Sequence, residues 1–437
     1  MTSQEKAALK EALLKFVAML AKAFLTRNYI LQALGLAVIL TLFLGGQHFV
    51  SLLIVISLVR TVATLWMLSG GKPVRLLRVL WHGTLAQALF ERSQYDLVEP
   101  ILIDSIEEAS TSLTGSSLGR DELILLYLQQ AKLYSERGNL EEAQVILEKL
   151  VFGSEGGNPI LLTFLASVYC ERGFTARAKG LVQRALGELE SKGMKTDREE
   201  ATALLVLAQC LTDEHKFPEA KTNLEKALDL YKRSASNLRG VNTAGSDDLA
   251  LLYLYMAYFL RQQRDYEGAE KNAQEAMRYL TASIGVGRSH SLAGHCFAEQ
   301  SWIFILLGKY REAKQMSERA LRVLDGALAN RGRPMALVCM TLAVVELRNG
   351  QVVEAERLLG KTFQLLEKQL SPDHPDIAEA LVCRAACYQA AGKYKAADED
   401  FLRALSILNS RYPHMDLLVA SVRLMHEDFR RKYAHLL

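Results

Sequence analysis

Proline is scarce, with eight residues in 437, and an abundance of Ala, Leu, Glu, Lys and Arg leaves little except helix for the chain to form. A phosphate-binding glycine loop, an HExxH pair and a nucleophile elbow are all missing, so the motifs that announce nucleotide, zinc-protease or hydrolase chemistry give no reason to expect an enzyme. The six cysteines stand without CxxC spacing, and a net charge of +3 is too small for a nucleic-acid binder. Cys383 and Cys387 share a helical face and could in principle hold a metal. The competing reading is core packing, because Cys210 and Cys387 recur at the position filled elsewhere by Leu133, Val168, Phe259 and Ile303. His290 and His295, five apart, point to different helix faces and make no ligand pair. No catalytic residue, metal or cofactor is expected, nor is a small-molecule substrate. Unpaired thiols suit a reducing compartment.

Charge is absent in one place above all. From Tyr29 to Val59 there is no Asp, Glu, Lys or Arg, and the apolar character resumes after Arg60 as far as Leu68. One helix of those 31 residues would run about 46 Å, longer than a hydrocarbon core of roughly 30 Å. Two crossings fit residues 29–68, turning at Gly45-Gly46-Gln47-His48. Lys15, Lys22 and Arg27 precede this segment and Lys72, Arg75 and Arg78 follow it, which places both ends of a transmembrane hairpin on the cytoplasmic side. Arg60 opposes the hairpin at a cost of about 3 kcal/mol mid-membrane, and a single tilted span or a hairpin buried in protein are the other readings. Residues 1–28 form a basic amphipathic helix, with Leu9, Leu13, Phe16, Val17, Leu20 and Phe24 opposite Lys15 and Lys22. Such a helix can lie on a bilayer or pack on its own protein. A linker is expected at 69–78.

Half of the chain is apolar, enough for an extended core, and beyond the linker it repeats. The clearest copy is HPDIAEALVCRAACYQAAGKYKAADEDFLRALSIL, from His374 to Leu408. It reads as a helix carrying Ala385 and Tyr388, a stop at Gly392, a docking Tyr394, and a second helix with Ala397, Phe401 and Ala404 on one face. Small residues let the two helices approach, and large ones fill the space beside them. Taking the small residue of each first helix as a marker gives Ala86, Ala131, Ala166, Ala208, Ala257, Ser301, Ala343 and Ala385. Seven residues beyond the markers stand Gly138, Gly173, Gly308, Gly350 and Gly392. Twelve beyond stand Ala143, Ala178, Ala220, Ala269, Ala313, Ala355 and Ala397. The first copy, with Ala86, Leu89, Tyr95 and Val98, lacks both and is degenerate. A polar loop at Arg233–Asp248 swells one spacing to 49 residues, and Asp416–Tyr433 reads as a capping helix with Arg423, Glu427, Arg430 and Arg431 outward.

This pattern resembles the tetratricopeptide repeat, and the HPD lead-in and GKY turn resemble the kinesin light chain variety, whose helices are about one turn longer than the family average. The resemblance implies an all-α fold, a right-handed superhelical solenoid of about eight helix pairs over residues 79–408. A capping helix at 409–437 would follow it, and the transmembrane hairpin would precede it. It also implies a scaffold that binds a protein or peptide in its concave groove, and the apolar segment with its basic flanks makes that scaffold membrane-anchored with its solenoid in the cytoplasm. The alternative is a structural subunit of a membrane complex or homo-oligomer. First helices line the groove in this family, which turns Tyr255, Tyr258, Arg261, Glu299 and Trp302 inward as candidate partner-binding residues. Trp302 could instead pack between adjacent helices. Kinesin light chain partners do not carry over, because the matching first-helix segments LVLAQC, LYMAYF, AEQSWI and LVCRAA contain no Asn.

Overall fold

The computed structural model describes residues 73–90, 95–112, 117–153, 158–191, 196–237, 246–284, 291–326, 332–412 and 416–436. The amphipathic segment 1–28 and the apolar segment 29–68 expected from the sequence lie outside the described residues. Among those described, no helix is long and apolar enough to cross a membrane. Seventeen α-helices follow one another: α1 Pro73–Phe90, α2 Tyr95–Ser112, α3 Ser117–Glu136, α4 Leu140–Phe152, α5 Pro159–Arg172, α6 Thr175–Ser191, α7 Asp197–Asp213, α8 Phe217–Asn237, α9 Ser246–Gln262, α10 Tyr266–Ile284, α11 Ser291–Leu306, α12 Tyr310–Gly326, α13 Arg333–Arg348, α14 Val352–Glu367, α15 Pro375–Ala390, α16 Tyr394–Arg411 and α17 Leu417–Tyr433.

The described residues fall into two compact units, one ending at Leu133 and the other running from Tyr134 to the C-terminus. In the first unit α1 packs on α2. The degenerate copy is a real hairpin, burying Ala86, Leu89, Tyr95 and Val98. Pro73, expected within the linker, opens α1, where its missing N–H costs nothing.

In the second unit each first helix packs on its own second helix and on the first helix of the next pair. The markers from Ala166 to Ala385 and their partners from Ala178 to Ala397 are all buried, because a larger residue would hold two helix axes apart. Helix starts are fixed by side chains that accept the free backbone N–H groups of the first turn. Asn158 accepts from the Ile160 N–H at 2.9 Å, and Asp416 from that of Leu418 at 2.8 Å. Thr196 accepts from Glu199 at 3.2 Å. In the HPD lead-in, His374 Nδ1 accepts from the Asp376 N–H at 3.1 Å, and Pro375 takes the first helical position.

Each pair turns through a left-handed residue. Gly138, Gly173, Gly308, Gly350 and Gly392 have φ between 70° and 91°. The two copies without glycine at this position use His215 at φ 56° and Arg264 at φ 65°, so the repeat imposes the conformation even on residues it strains.

That strain coincides with a seam joining the early turns of this unit to its late helices. Arg411 donates to the Gly173 carbonyl at 2.7 Å, and the Ser371 N–H donates to that of Arg172 at 2.9 Å. His215 stacks on Tyr412 with ring centroids 3.8 Å apart, and its Nδ1 meets the carboxylate of Asp416. Arg264 donates to the Leu417 carbonyl at 3.1 Å and to Ser421 at 2.6 Å. Gly138 lies so close to Gly332 that a Cβ on Gly138 would stand 2.7 Å from the Gly332 Cα. The capping helix α17 is therefore a clasp as well as an end cover: it turns Arg423, Glu427, Arg430 and Arg431 to solvent while its first turn holds the turns of two earlier pairs.

Candidate functional site on the inner face

The first helices of the second unit surround a cavity of ≈ 150 Å³, walled by residues of α5, α7, α9, α11, α13 and α15 and by the Gly138 and Gly332 turns. Tyr255, Tyr258, Arg261 and Glu299, singled out from the sequence, all line it. The repeat register brings them together: on α9, Tyr255, Tyr258 and Arg261 follow one another at intervals of three, one helical face. Arg261 Nε donates to Glu299 at 2.5 Å, and its Nη1 lies 3.6 Å from Glu379. Trp302 lies beneath this wall rather than in it. It is 3% exposed and belongs to the same apolar cluster as Met340 and Ala343, and its indole N–H donates to Glu379 at 2.9 Å.

Sequence reasoning missed the opposite wall. Arg333, the first residue of α13, forms a two-point ion pair with Asp376, the second leg at 3.1 Å. Burial alone would raise Asp376, but the adjacent Arg333 overrides it and holds the carboxyl well below the usual carboxylate range. The Tyr258 hydroxyl donates to Asp213 at 2.7 Å, and two guanidinium groups lie over the Tyr258 ring, Arg261 at 5.2 Å and Arg333 at 5.3 Å from its centroid. Glu379 is pushed upward by burial, against the pull of Arg261. Glu171, on α5, is pushed up to about 7 by burial, with Arg333 opposing and Glu136 reinforcing the shift. Glu136, Glu171 and Asp213 each stand five residues beyond their marker. That regularity was available in the sequence and would have flagged them.

The cysteines are free thiols. Cys170 and Cys210, on neighbouring first helices, approach to 3.3 Å, and Cys387 is a buried core residue. Among the described residues no group of His, Cys, Asp and Glu has the arrangement of a metal site.

Residues 335–410 match the family model of the tetratricopeptide repeat, which covers the copies built by α13 to α16. The copies upstream share their markers, their left-handed turns and their helix order. Residues 335–410 carry tetratricopeptide repeats. Among solved structures, a Rap protein complexed with competence and sporulation factor is similar at 19% identity, with 76% of this chain and 86% of that one covered at a TM-score of 0.53. The kinesin light chain repeats of Podosopora anserina are similar at 20% identity, covering 47% of this chain and 93% of that one at a TM-score of 0.32. The Cut9–Hcn1 assembly of the APC/C matches at 13% identity over 80% of this chain and 70% of that one, at a TM-score of 0.48. No curated protein matches the sequence.

Proposed function

We propose that this chain is a membrane-anchored tetratricopeptide scaffold that receives part of a protein or peptide partner on the inner face of its solenoid. The observation that carries the reading is the inner wall itself, where half-buried tyrosines and a row of charged side chains line one cavity. Aromatic and arginine side chains held in such a frame are the groups that dominate binding energy at protein interfaces. The similar Rap protein was solved with a signalling factor bound, which supports a partner-binding role for a fold of this kind. A diazirine amino acid at Leu251, in the cavity wall, should form a discrete adduct with a partner in intact cells, whereas one at exposed Glu318 on α12 should not. Adducts from Glu318 alone would move the site to the outer face.

The anchor is proposed from the apolar segment 29–68, uncharged from Tyr29 to Val59 and interrupted only by Arg60, and from its basic flanks. A cysteine placed at Gln47 should react with an impermeant reagent applied to intact cells, and cysteines at Ser3 or Ser246 should not. Labelling at Ser246 would mean a single crossing.

The assembly-subunit reading draws on a different observation: Leu417, Leu424 and Met425 of α17 are 70%, 62% and 46% exposed. An assembly joined through that helix would run as one large stable species in mild detergent, while a scaffold would change size with its partner.

A further inference from the structure

The charged groups of the cavity wall do not balance. Glu171, Glu299, Asp376 and Glu379 face two guanidinium groups. Arg261 satisfies Glu299 and reaches Glu379, and Arg333 is committed to Asp376. Glu171 alone accepts no hydrogen bond and forms no ion pair among the described residues. On the next first helix, one turn earlier in register, Gln209 is 5% exposed and lines the same cavity, and among the described residues its amide oxygen has no hydrogen-bond partner. A buried amide oxygen with nothing to accept from is costly, and native structures keep few of them. Tyr255, on the helix after that, also lines the cavity, and its hydroxyl has no hydrogen-bond partner among the described residues. The wall therefore presents an unpaired carboxylate, an unpaired amide and an aromatic ring on three successive first helices. The same wall already sets guanidinium groups against an aromatic ring, with Arg261 and Arg333 each within 5.3 Å of the Tyr258 centroid.

We propose that the cavity binds an organic cation, a guanidinium or alkylammonium group, with Glu171 as its counter-ion, the Gln209 amide oxygen as acceptor and the Tyr255 ring against its face. The proposal rests on the inner-face reading above and names the chemistry of what enters. Room of ≈ 150 Å³ suits one such group and its short stem rather than a folded segment. The group is the side chain of a partner or a free small cation, and the two sources are separable.

The test is calorimetric titration of the full chain with two matched pairs: methylguanidine against neutral methylurea, and Ac-Gly-Arg-Gly-NH2 against its citrulline counterpart. At least one charged probe should bind ten times or more tightly than its neutral partner. Methylguanidine binding would assign a free cation, and binding of the arginyl peptide alone would assign a partner's side chain. Glu171→Gln, nearly isosteric, should erase the preference, and Gln209→Leu should weaken it several-fold. Glu171 is faced by Arg333, Glu136 and Tyr255 and is pushed up to about 7 by burial, with Arg333 opposing and Glu136 reinforcing, so affinity should fall as pH drops from 7 to 5. Equal binding of charged and neutral probes overturns the proposal, as does no binding of either charged probe, or an unchanged preference in folded Glu171→Gln. Since the wild-type comparison needs no variant, misfolding of Glu171→Gln leaves the question answerable. If the charged probes fail while Leu251 still captures a partner, the cation falls and the scaffold stands. Charged probes that bind where Leu251 captures nothing support the cation site and remove the macromolecular partner.

Discussion

Replacing Gly173 by alanine should destabilise the second unit about three times as much as the same change at Gly350, although both glycines occupy the same place in their repeats. Each has a left-handed φ, 91° and 77°, and a Cβ there costs roughly 1–2 kcal/mol whatever the surroundings. At Gly350 nothing lies within 4 Å of the added carbon. At Gly173 it would stand 2.7 Å from Ser371 Oγ, 2.8 Å from His374 Cδ2 and 2.9 Å from Arg411 Nη2, and all three hold the seam. Crowding of that kind adds about 1–3 kcal/mol. The expected totals are about 1 kcal/mol for Gly350→Ala and about 3 kcal/mol for Gly173→Ala. Faster amide exchange at Ser371, whose N–H bonds to Arg172 across the seam, should accompany the larger loss. Equal losses in the two variants, with Ser371 still protected, would show that the seam adds nothing to stability.

The seam also marks where the sequence stopped being legible. Markers, partner alanines and turn glycines are separated by seven and twelve residues, so local spacing reveals them. It also reveals Tyr255, Tyr258, Arg261 and Glu299, because a helix face can be read once its register is known. The closure pairs His215 with Asp416, 201 residues away, and Arg264 with Ser421, 157 residues away. Nothing local foretells such contacts. His215 and Arg264 stand where the other copies have glycine, keep the glycine conformation and use their side chains to hold the start of α17. Trp302 shows the opposite limit. Its register faces inward, but whether a large ring lies over a groove or sinks into it depends on the space beside Met340 and Ala343, which only the packing shows. Arg333 and Asp376 share the limit of the seam, since their pairing spans a whole repeat.

Acid should weaken the native protein through His374, and His374→Asn should remove that sensitivity. The imidazole is buried, 4% exposed, and desolvation lowers it from 6.5 to about 4, with Arg333 and Arg411 adding to the shift and Asp376 opposing it. Its Nδ1 is the acceptor that caps α15, so the folded protein needs the neutral ring. Below pH 6.5 the unfolded chain takes up a proton that the folded chain refuses. Stability is therefore complete above 6.5, declines as pH falls, and levels off below about 4, for a total on the order of 3 kcal/mol. Glu171 acts in the reverse direction: its raised pKa costs stability at pH 7 and returns it as pH falls toward the ordinary carboxylate range. That contribution is common to wild type and variant, so their difference isolates His374. Asparagine supplies an N-cap oxygen that does not titrate over this range, at the expense of a smaller side chain under Gly173 and a lower baseline at pH 7. Denaturation curves in mild detergent at pH 7, 5.5 and 4 should show the wild type losing about 3 kcal/mol more than His374→Asn across the series. Parallel losses would mean that His374 is protonated in the fold, and that the Asp376 N–H, and with it the carboxylate that faces Arg333 in the cavity wall, is held by something other than a neutral ring.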